Sequence, residues 1–409
     1  MPLTIFVTDG DERPALAITR SLGRRAGAVV IVGADRPHSL ASSSRYCARH
    51  VTYPSPAGAP DAFSQFLLDF LAREKVDVVL PVTDFTTHAV CASQGAIRRS
   101  TAIAVPSLAA FEFASDKRRL LQLATRHGVP VPSTQYVQGA AGLAAVIDRV
   151  TYPAVIKPVR SRIPTPGGWV STGVHYAYSK AELLGLYECI DYLAVHPSLI
   201  QQRIVGPGCG VFMLFDRGRP IAEFAHRRLR EKPPSGGVSV LCESVPLDPV
   251  LREHAIHLLG SLGWHGVAMI EFKQDRESGR VYLMEVNGRF WGSLQLAIDA
   301  GVDFPGLSCE LALGRSPAQA PDYRVGVRSR WLAGDVDHFL LRVFKRDIDL
   351  RLDRSAASRW RTLLHFLRFF GRGLRYDVLS ASDPRPFLHE CRQNGRALWR
   401  SAAGFASGH

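Results

Sequence analysis

Two apolar runs, GVAMIEFKQD (266–275) and VYLMEVNGRFWGS (281–293), flank the turn-like stretch Asp275-Arg276-Glu277-Ser278-Gly279. Together they predict an antiparallel hairpin. Folding about Ser278 sets Glu271 opposite Glu285, with Asn287 two residues further on and on the same face, because strand side chains alternate. Two carboxylates so placed repel. A divalent cation between them turns that repulsion into ligation by hard oxygen donors, as Mg²⁺ is held by carboxylates and phosphates. Taken alone, the pair also suits a solvated edge hairpin carrying two unrelated acids.

A chain of 409 residues exceeds one ordinary core, so two or three domains are expected. No apolar run approaches the roughly 18–20 residues of a membrane span. The first residues, MPLTIFVTDGDERP, enter a strand-like run without a basic leader, which speaks against a signal peptide and for a cytoplasmic protein. Cys47, Cys91, Cys189, Cys209, Cys242, Cys309 and Cys391 are odd in number and scattered without a Cys-x-x-Cys pair. Reduced thiols are therefore expected rather than disulfides or zinc ligands. The net charge of +13 is uneven: residues 330–409 hold 15 Arg and Lys against 8 Asp and Glu, a net of +7. An anionic partner is expected there.

Residues 1–110 alternate strand and helix patterns: strands over 4–10, 28–35 and 77–84, helices over 12–27 and 61–76. That order predicts a small parallel α/β domain. Its first turn, TDGDERP, lacks the Gly-x-Gly-x-x-Gly fingerprint of a dinucleotide site, though a substrate near Asp9, Asp11 or Thr83-Asp84 fits the carboxyl edge of such a sheet. Residues 111–320 change character. A basic helix (115–128) and a Pro-rich break (129–134) precede a strand closing on Lys157 (152–158). A Gly/Pro-rich loop (161–173) and further strands over 198–206 and 210–229 then lead into the hairpin. Residues 321–409 form a basic, mainly helical extension. The fold class expected is α/β and α+β.

Lys157 leaves an apolar strand directly before Pro158 and a glycine loop, a reasonable phosphate grip; Lys117 begins a helix. Either alone suits a solvated lysine. Their order carries more: Lys117, Lys157, a glycine loop, the polar-started segment Gln201-Gln202-Arg203-Ile204, then Glu271, Glu285 and Asn287. This series, and LMEVNGRFWGS above all, resembles the ATP-grasp superfamily over roughly residues 1–315, with the Glu-x-Asn-x-Arg motif at Glu285, Asn287 and Arg289. The resemblance implies a small α/β domain followed by a two-lobed ATP-grasp domain. It implies that Glu271, Glu285 and Asn287 hold Mg²⁺ (or Mn²⁺), and that Lys117 and Lys157 contact ATP phosphates. Arg289 would neutralise charge on the transferred phosphoryl group. Gln201, Gln202 and Ile204 would line the ATP site, the backbone of the last two reading the adenine edge.

The chain departs from the family pattern in two places. Gln202 stands where Glu is usual, and Gly206-Pro207-Gly208-Cys209-Gly210 stands where many relatives carry an acidic ribose ligand. The segment FAHRRLREKPPSGGVSV (224–240) occupies the place of the family's substrate loop. Arg227 and Arg228 there suit a substrate carboxylate, and Ser235, Gly236 and Gly237 a developing oxyanion; a basic hairpin face explains the same residues. The 14 histidines show no ligand spacing and read as structural or surface groups. The activity implied is Mg-ATP-dependent ligation of a small-molecule carboxylate to an amine, with carboxylating or thiol-ligating use of the site, or a non-catalytic nucleotide-binding regulator, as alternatives. No nucleic-acid partner is expected. Finally, Arg361, His365, Arg368, Arg372 and Arg375 recur on one face of a helix over 358–375, opposite Trp360, Leu363, Leu364, Leu367, Phe370 and Leu374. Such a helix suits peripheral contact with an anionic membrane face, or packing on the protein's own core.

Overall fold

The structure is a computed structural model describing residues 2–165, 167–315, 322–347, 349–350, 352, 358–371 and 373–406, with side chains described through residue 395. Its first strand, β1 (Leu3–Val7), lies between β2 (Ala28–Ala34) and β4 (Val78–Leu80), with β3 (Arg49–Thr52) beyond β2; all pairings are parallel. Successive β1 residues serve different cores. Phe6 packs toward α2 (Pro60–Arg73), whose Phe63, Leu67, Phe70 and Leu71 recur at helical spacing, while Ile5 and Val7 join a cluster with Leu16 and Ile18 of α1 (Arg13–Gly23). A parallel sheet covered on both faces accounts for the continuous apolar runs. Of these strands, only β3 escaped the sequence reading, because RHVT at a sheet edge carries little apolar signal. The helices α3 (Asp84–Ala92), α4 (Gln94–Ile97) and α5 (Leu108–Ser115) then lead to α6 (Lys117–Arg126), whose N-cap Asp116 accepts from the Arg119 N–H.

A smaller lobe follows. Its antiparallel sheet runs β5 (Thr134–Gln138), β10 (Pro197–Gln202), β6 (Ala154–Pro158), β9 (His175–Ala177), with the hairpin β7 (Arg162–Thr165) and β8 (Gly168–Ser171) apart from it and α7 (Lys180–Cys189) and α8 (Asp191–Val195) packed against it. The larger lobe is a seven-stranded sheet. From one edge it runs β15 (Val281–Asn287), β14 (Gly266–Gln274), β11 (Gly208–Asp216), β12 (Arg219–Lys232), β13 (Val238–Ser244), β16 (Arg328–Arg330), β17 (Leu374–Tyr376). The helices α9 (Pro249–Ser261), α10 (Leu294–Ala300) and α11 (Phe304–Ala312) cover it. The expected hairpin is therefore its β14–β15 edge. Around the turn, Asp275 accepts from Ser278 and Gly279 takes φ +69°, the left-handed region that glycine enters without strain.

The C-terminal helices are α12 (Leu332–Phe344), α13 (Arg359–Phe366) and α14 (Arg385–Ala406). This corrects the expected single helix over 358–375. The buried Arg330 guanidinium takes the carbonyls of Phe366 (2.8 Å) and Arg368 (3.3 Å), ending α13, and Arg375 then lies in β17 rather than on a helical face. Arg372 lies outside the described residues. Trp360, Leu364, Leu367 and Phe370 are exposed. Among the described residues no helix is long and apolar enough to cross a membrane, and all seven cysteines are unpaired.

Candidate active site

The β14–β15 register sets Glu271 directly against Glu285 and Met269 against Asn287. Asn287 Nδ2 stands 3.1 Å from Glu271 Oε1 and 3.4 Å from Glu285 Oε1, so three oxygen-bearing side chains converge on one point. Burial and the neighbouring Glu285 charge push Glu271 up against the pull of Arg228. Glu285 is also buried, but the Lys117 and Lys157 ammoniums outweigh that penalty and hold it low. A carboxylate pair under such tension is what a divalent cation relieves. Among the described residues no cluster of three or more His, Cys, Asp or Glu gathers for a metal. Two carboxylates beside a side-chain amide are hard donors, and such a set suits a cation that completes its shell with water and phosphate oxygens, as Mg²⁺ does.

Across the cleft stand the two lysines. Lys117, the first residue of α6, is buried; its ammonium donates to Ser161 Oγ (2.7 Å) and lies 3.6 Å from Glu285. Lys157 sits on β6, and desolvation lowers its pKa to about 8 despite the attraction of Glu285. Arg289 reaches back to the N-terminal domain, where its guanidinium meets Asp84, the first residue of α3, at 3.0 Å. It also donates to Asn287 Oδ1 (3.2 Å). Lys117, Lys157, Glu271, Glu285, Asn287 and Arg289 line one cavity of about 560 Å³ between the two lobes, with Asp84 behind Arg289.

Residues 195–334, about a third of the chain, match the family described as "ATP-grasp in the biosynthetic pathway with Ter operon". The chain has the ATP-grasp fold. The arginine-specific carbamoyl phosphate synthase large chain of Geobacillus stearothermophilus is 25% identical over 217 residues, which are 47% of this chain and 19% of that protein. The chain thus spans about a fifth of the length of this curated relative. Among solved structures, L-amino acid ligase from Bacillus licheniformis superposes with a TM-score of 0.58 at 18% identity, covering 76% of this chain and 74% of the other. Biotin carboxylase from Campylobacter jejuni gives 0.62 at 18% identity, covering 80% and 74%.

The ATP-grasp cleft gathers most of the residues singled out in sequence. Gln201, Gln202 and Ile204 line it at the hinge between the lobes, where the Gln201 amide is buried against Thr134. The Gln202 N–H donates to Ser133 O (2.9 Å). Gly206 has a steric reason: a Cβ there would fall 1.9 Å from the Gln274 carbonyl, so the β14–β15 hairpin excludes an acidic side chain at that point. The loop after β6 folds down, with Trp169 of β8 packed edge-on to Phe85 and His88 of the N-terminal domain.

At the substrate loop the structure separates neighbours. Arg228 faces the cleft, donating to Glu271 (2.5 Å), Glu231 (3.0 Å) and Gly237 O (3.0 Å). Arg227 does not join it. Adjacent strand residues face opposite sides of a sheet, and its guanidinium pairs with Glu243 on the far face. Gly236 and Gly237 line the cleft, whereas Ser235 lines a second, basic cavity beside it. Of the sheet-edge candidates, Asp9 is structural: it accepts from Thr86 Oγ1 (2.5 Å), Thr8 Oγ1 (2.7 Å) and Thr83 N (2.9 Å). Asp11 pairs with Arg36. Sequence reasoning missed Arg13, His226 and Trp291, which also line the cleft. Arg13 opens a helix and His226 stands in a strand, with no spacing that marks either.

Proposed function

We propose that this chain is a Mg-ATP-dependent ligase that activates a substrate carboxylate as an acyl phosphate and joins it to an amine. The observation that carries the reading is the single cavity in which Glu271, Glu285 and Asn287 face Lys117 and Lys157, with Arg289 beside them. A divalent cation held by Glu271, Glu285 and Asn287 would supply charge neutralisation between carboxylates and phosphates. Lys117 and Lys157 grip the nucleotide phosphates, and the hinge backbone at Gln202 and Ile204 orients the base. A substrate carboxylate oxygen attacks the γ-phosphorus as its bond to the ADP oxygen breaks, giving ADP and an acyl phosphate. Arg289, pinned by Asp84, neutralises charge on the phosphoryl oxygens. An unprotonated amine nitrogen then attacks the acyl carbon, inorganic phosphate leaves, and the nitrogen gives up one proton to solvent. Gly237 brings its backbone amide near the acyl oxygen, next to Gly236, whose own N–H donates to Pro233 O (3.1 Å), and Arg228 holds the acid's second oxygen. Catalysis of this type asks mainly for positioning and charge compensation, which these groups offer.

A panel of carboxylates tested with hydroxylamine in place of the amine examines the reading. The acid that the site accepts yields a hydroxamate, with ADP released only when that acid is present. ADP release driven by bicarbonate, with no hydroxamate from any acid, moves the assignment to a carboxylating enzyme.

A further inference from the structure

The inner end of the cleft, past Arg289, is built by residues the steps above do not use. Arg13 lies there with its side chain 11% exposed, Nη1 on Asp377 at 2.5 Å and Nη2 only weakly engaged, 3.5 Å from Ser239 O. Its guanidinium carbon stacks 4.1 Å from the Trp331 ring centre. Gly292 makes room for it, since a Cβ at that position would sit 2.9 Å from Arg13 Nη2. Three buried polar atoms on cleft-lining residues around it have no hydrogen-bond partner: His226 Nε2, Ser239 Oγ and Trp291 Nε1. The indole N–H can only donate, the serine hydroxyl can donate, and a guanidinium paired along one edge keeps N–H groups for a second partner. Buried donors left unmade are costly. The complement of such a set is a group with several acceptor oxygens and negative charge.

We infer that this end of the cleft is the acceptor-substrate subsite, that it recognises an oxyanion on that substrate, carboxylate or phosphate, and that Arg13 is its specificity-determining cation. The inference rests on the ligase reading for the word acceptor, but the anion site itself does not depend on it. Trp331 and Asp377 are positioning residues. Asp377 lies beyond the matched 195–334 segment, so a part of the chain outside that match helps to complete the site. Asp377 is itself fixed by Ser329 and Trp331 by Glu390, which accepts from its indole N–H at 2.8 Å, so Arg13 is held before any substrate arrives.

The test uses the full chain saturated with MgADP and titrates succinate and inorganic phosphate at constant ionic strength, following the melting midpoint and tryptophan fluorescence. At least one anion should bind the wild type. Arg13→Gln should weaken it at least ten-fold, Arg13→Lys less, and Asp377→Asn should weaken it partially. MgADP affinity, measured on the same samples, should stay unchanged and shows that each variant is folded. With the acid and amine found by the hydroxamate screen, Arg13→Gln should raise the amine substrate's KM at least ten-fold and leave the KM for ATP alone. No response to either anion in the wild type overturns the subsite. So does equal binding by folded Arg13→Gln, or a phosphate response abolished by Lys157→Met but not by Arg13→Gln, which would place phosphate in the nucleotide position. Hydroxamate formation that persists while Arg13 proves indifferent overturns the anion subsite alone; anion binding without any hydroxamate overturns the ligase reading alone.

Discussion

Lys157 offers a quantitative handle on the nucleotide site. Desolvation carries its pKa from 10.5 to about 8, net of the attraction from Glu285. At roughly 1.36 kcal/mol per unit, keeping this lysine charged in the unliganded cleft costs on the order of 3 kcal/mol. The sign follows from proton counting. Between about 8 and 10.5 the unfolded chain binds more protons than the folded one, so stability rises with pH through that window, and below it the full penalty is present. Lys157→Met should therefore stabilise the unliganded protein at pH 7 by up to about 3 kcal/mol, read by urea denaturation. Phosphate oxygens beside the ammonium should restore its ordinary pKa. At pH 9 roughly a tenth of the free protein has Lys157 protonated, so MgADP binding should take up roughly 0.9 proton and its affinity should fall about ten-fold per pH unit above 8. Calorimetry in two buffers of different ionisation enthalpy measures the uptake. Uptake absent in the wild type, or equal in Lys157→Met, refutes the placement of Lys157 on the phosphates.

Glu271→Gln and Glu285→Gln should each lower Mg-dependent ATP turnover by more than about 100-fold while circular dichroism stays native, because each removes a carboxylate on which charge compensation depends; near-normal ADP formation by either folded variant removes the metal assignment. Arg289→Ala should lower the single-turnover rate more than nucleotide affinity, and Asp84→Asn, which only releases Arg289, should cost between about 10- and 100-fold in the same rate with affinity intact. Equal losses in rate and affinity would give Arg289 a ground-state role. The exposed Trp360, Leu364, Leu367 and Phe370, interleaved with Arg361 and Arg368, should hold anionic vesicles at low salt and release them as salt rises; no co-sedimentation at low salt refutes the membrane contact.

Local signals carried much of this far into three dimensions. The hairpin follows from its apolar runs and turn, but the Glu271–Glu285 opposition also needs a bulge: next to the turn the strands pair as Gln274–Val281 through Phe272–Leu283, and the extra residue Met284 between that run and Glu271 brings Glu285 opposite it. The parallel N-terminal sheet follows from apolar runs that continuous burial requires. Arg228 and Arg227 show where such reading stops. Period two says that one of them faces the cleft, but which one depends on the register of β12 against β11, set by contacts far away in sequence. Asp84 and Arg289 are 205 positions apart, and nothing near either marks the ion pair. The basic helix failed for a related reason: its period ran on past Phe366, while Arg330, on a strand outside the window, takes the carbonyls that end it.

The C-terminal extension sets Val378 into the core, with Trp331 and Phe387 packed against it, but a buried ion pair also fastens it, and hydrophobic periodicity gives no sign of that pair. Arg20 of α1 is 3% exposed. Its guanidinium donates to the Asp383 carboxylate at 2.9 Å and to the carbonyls of Asp377, Val378 and Asp383 at 2.9–3.0 Å. Asp383, fully buried, also accepts from Ser44 Oγ (2.6 Å) and the Arg45 N–H (3.0 Å). Each charge is met on several sides, so the pair tolerates burial; removing one member strands the other, at a cost of about 3–5 kcal/mol. Asp383→Ala should therefore lower unfolding free energy by about that amount in urea denaturation. It should also loosen Arg13, because Asp377 lies on the segment that Arg20 holds. Truncation before α12 would leave Arg20 buried without its carboxylate, and is expected to unfold the N-terminal domain rather than trim an accessory. A loss below about 1 kcal/mol for Asp383→Ala, the range of an exposed pair, would show that the extension is not fastened here and that Arg13 is placed by other contacts.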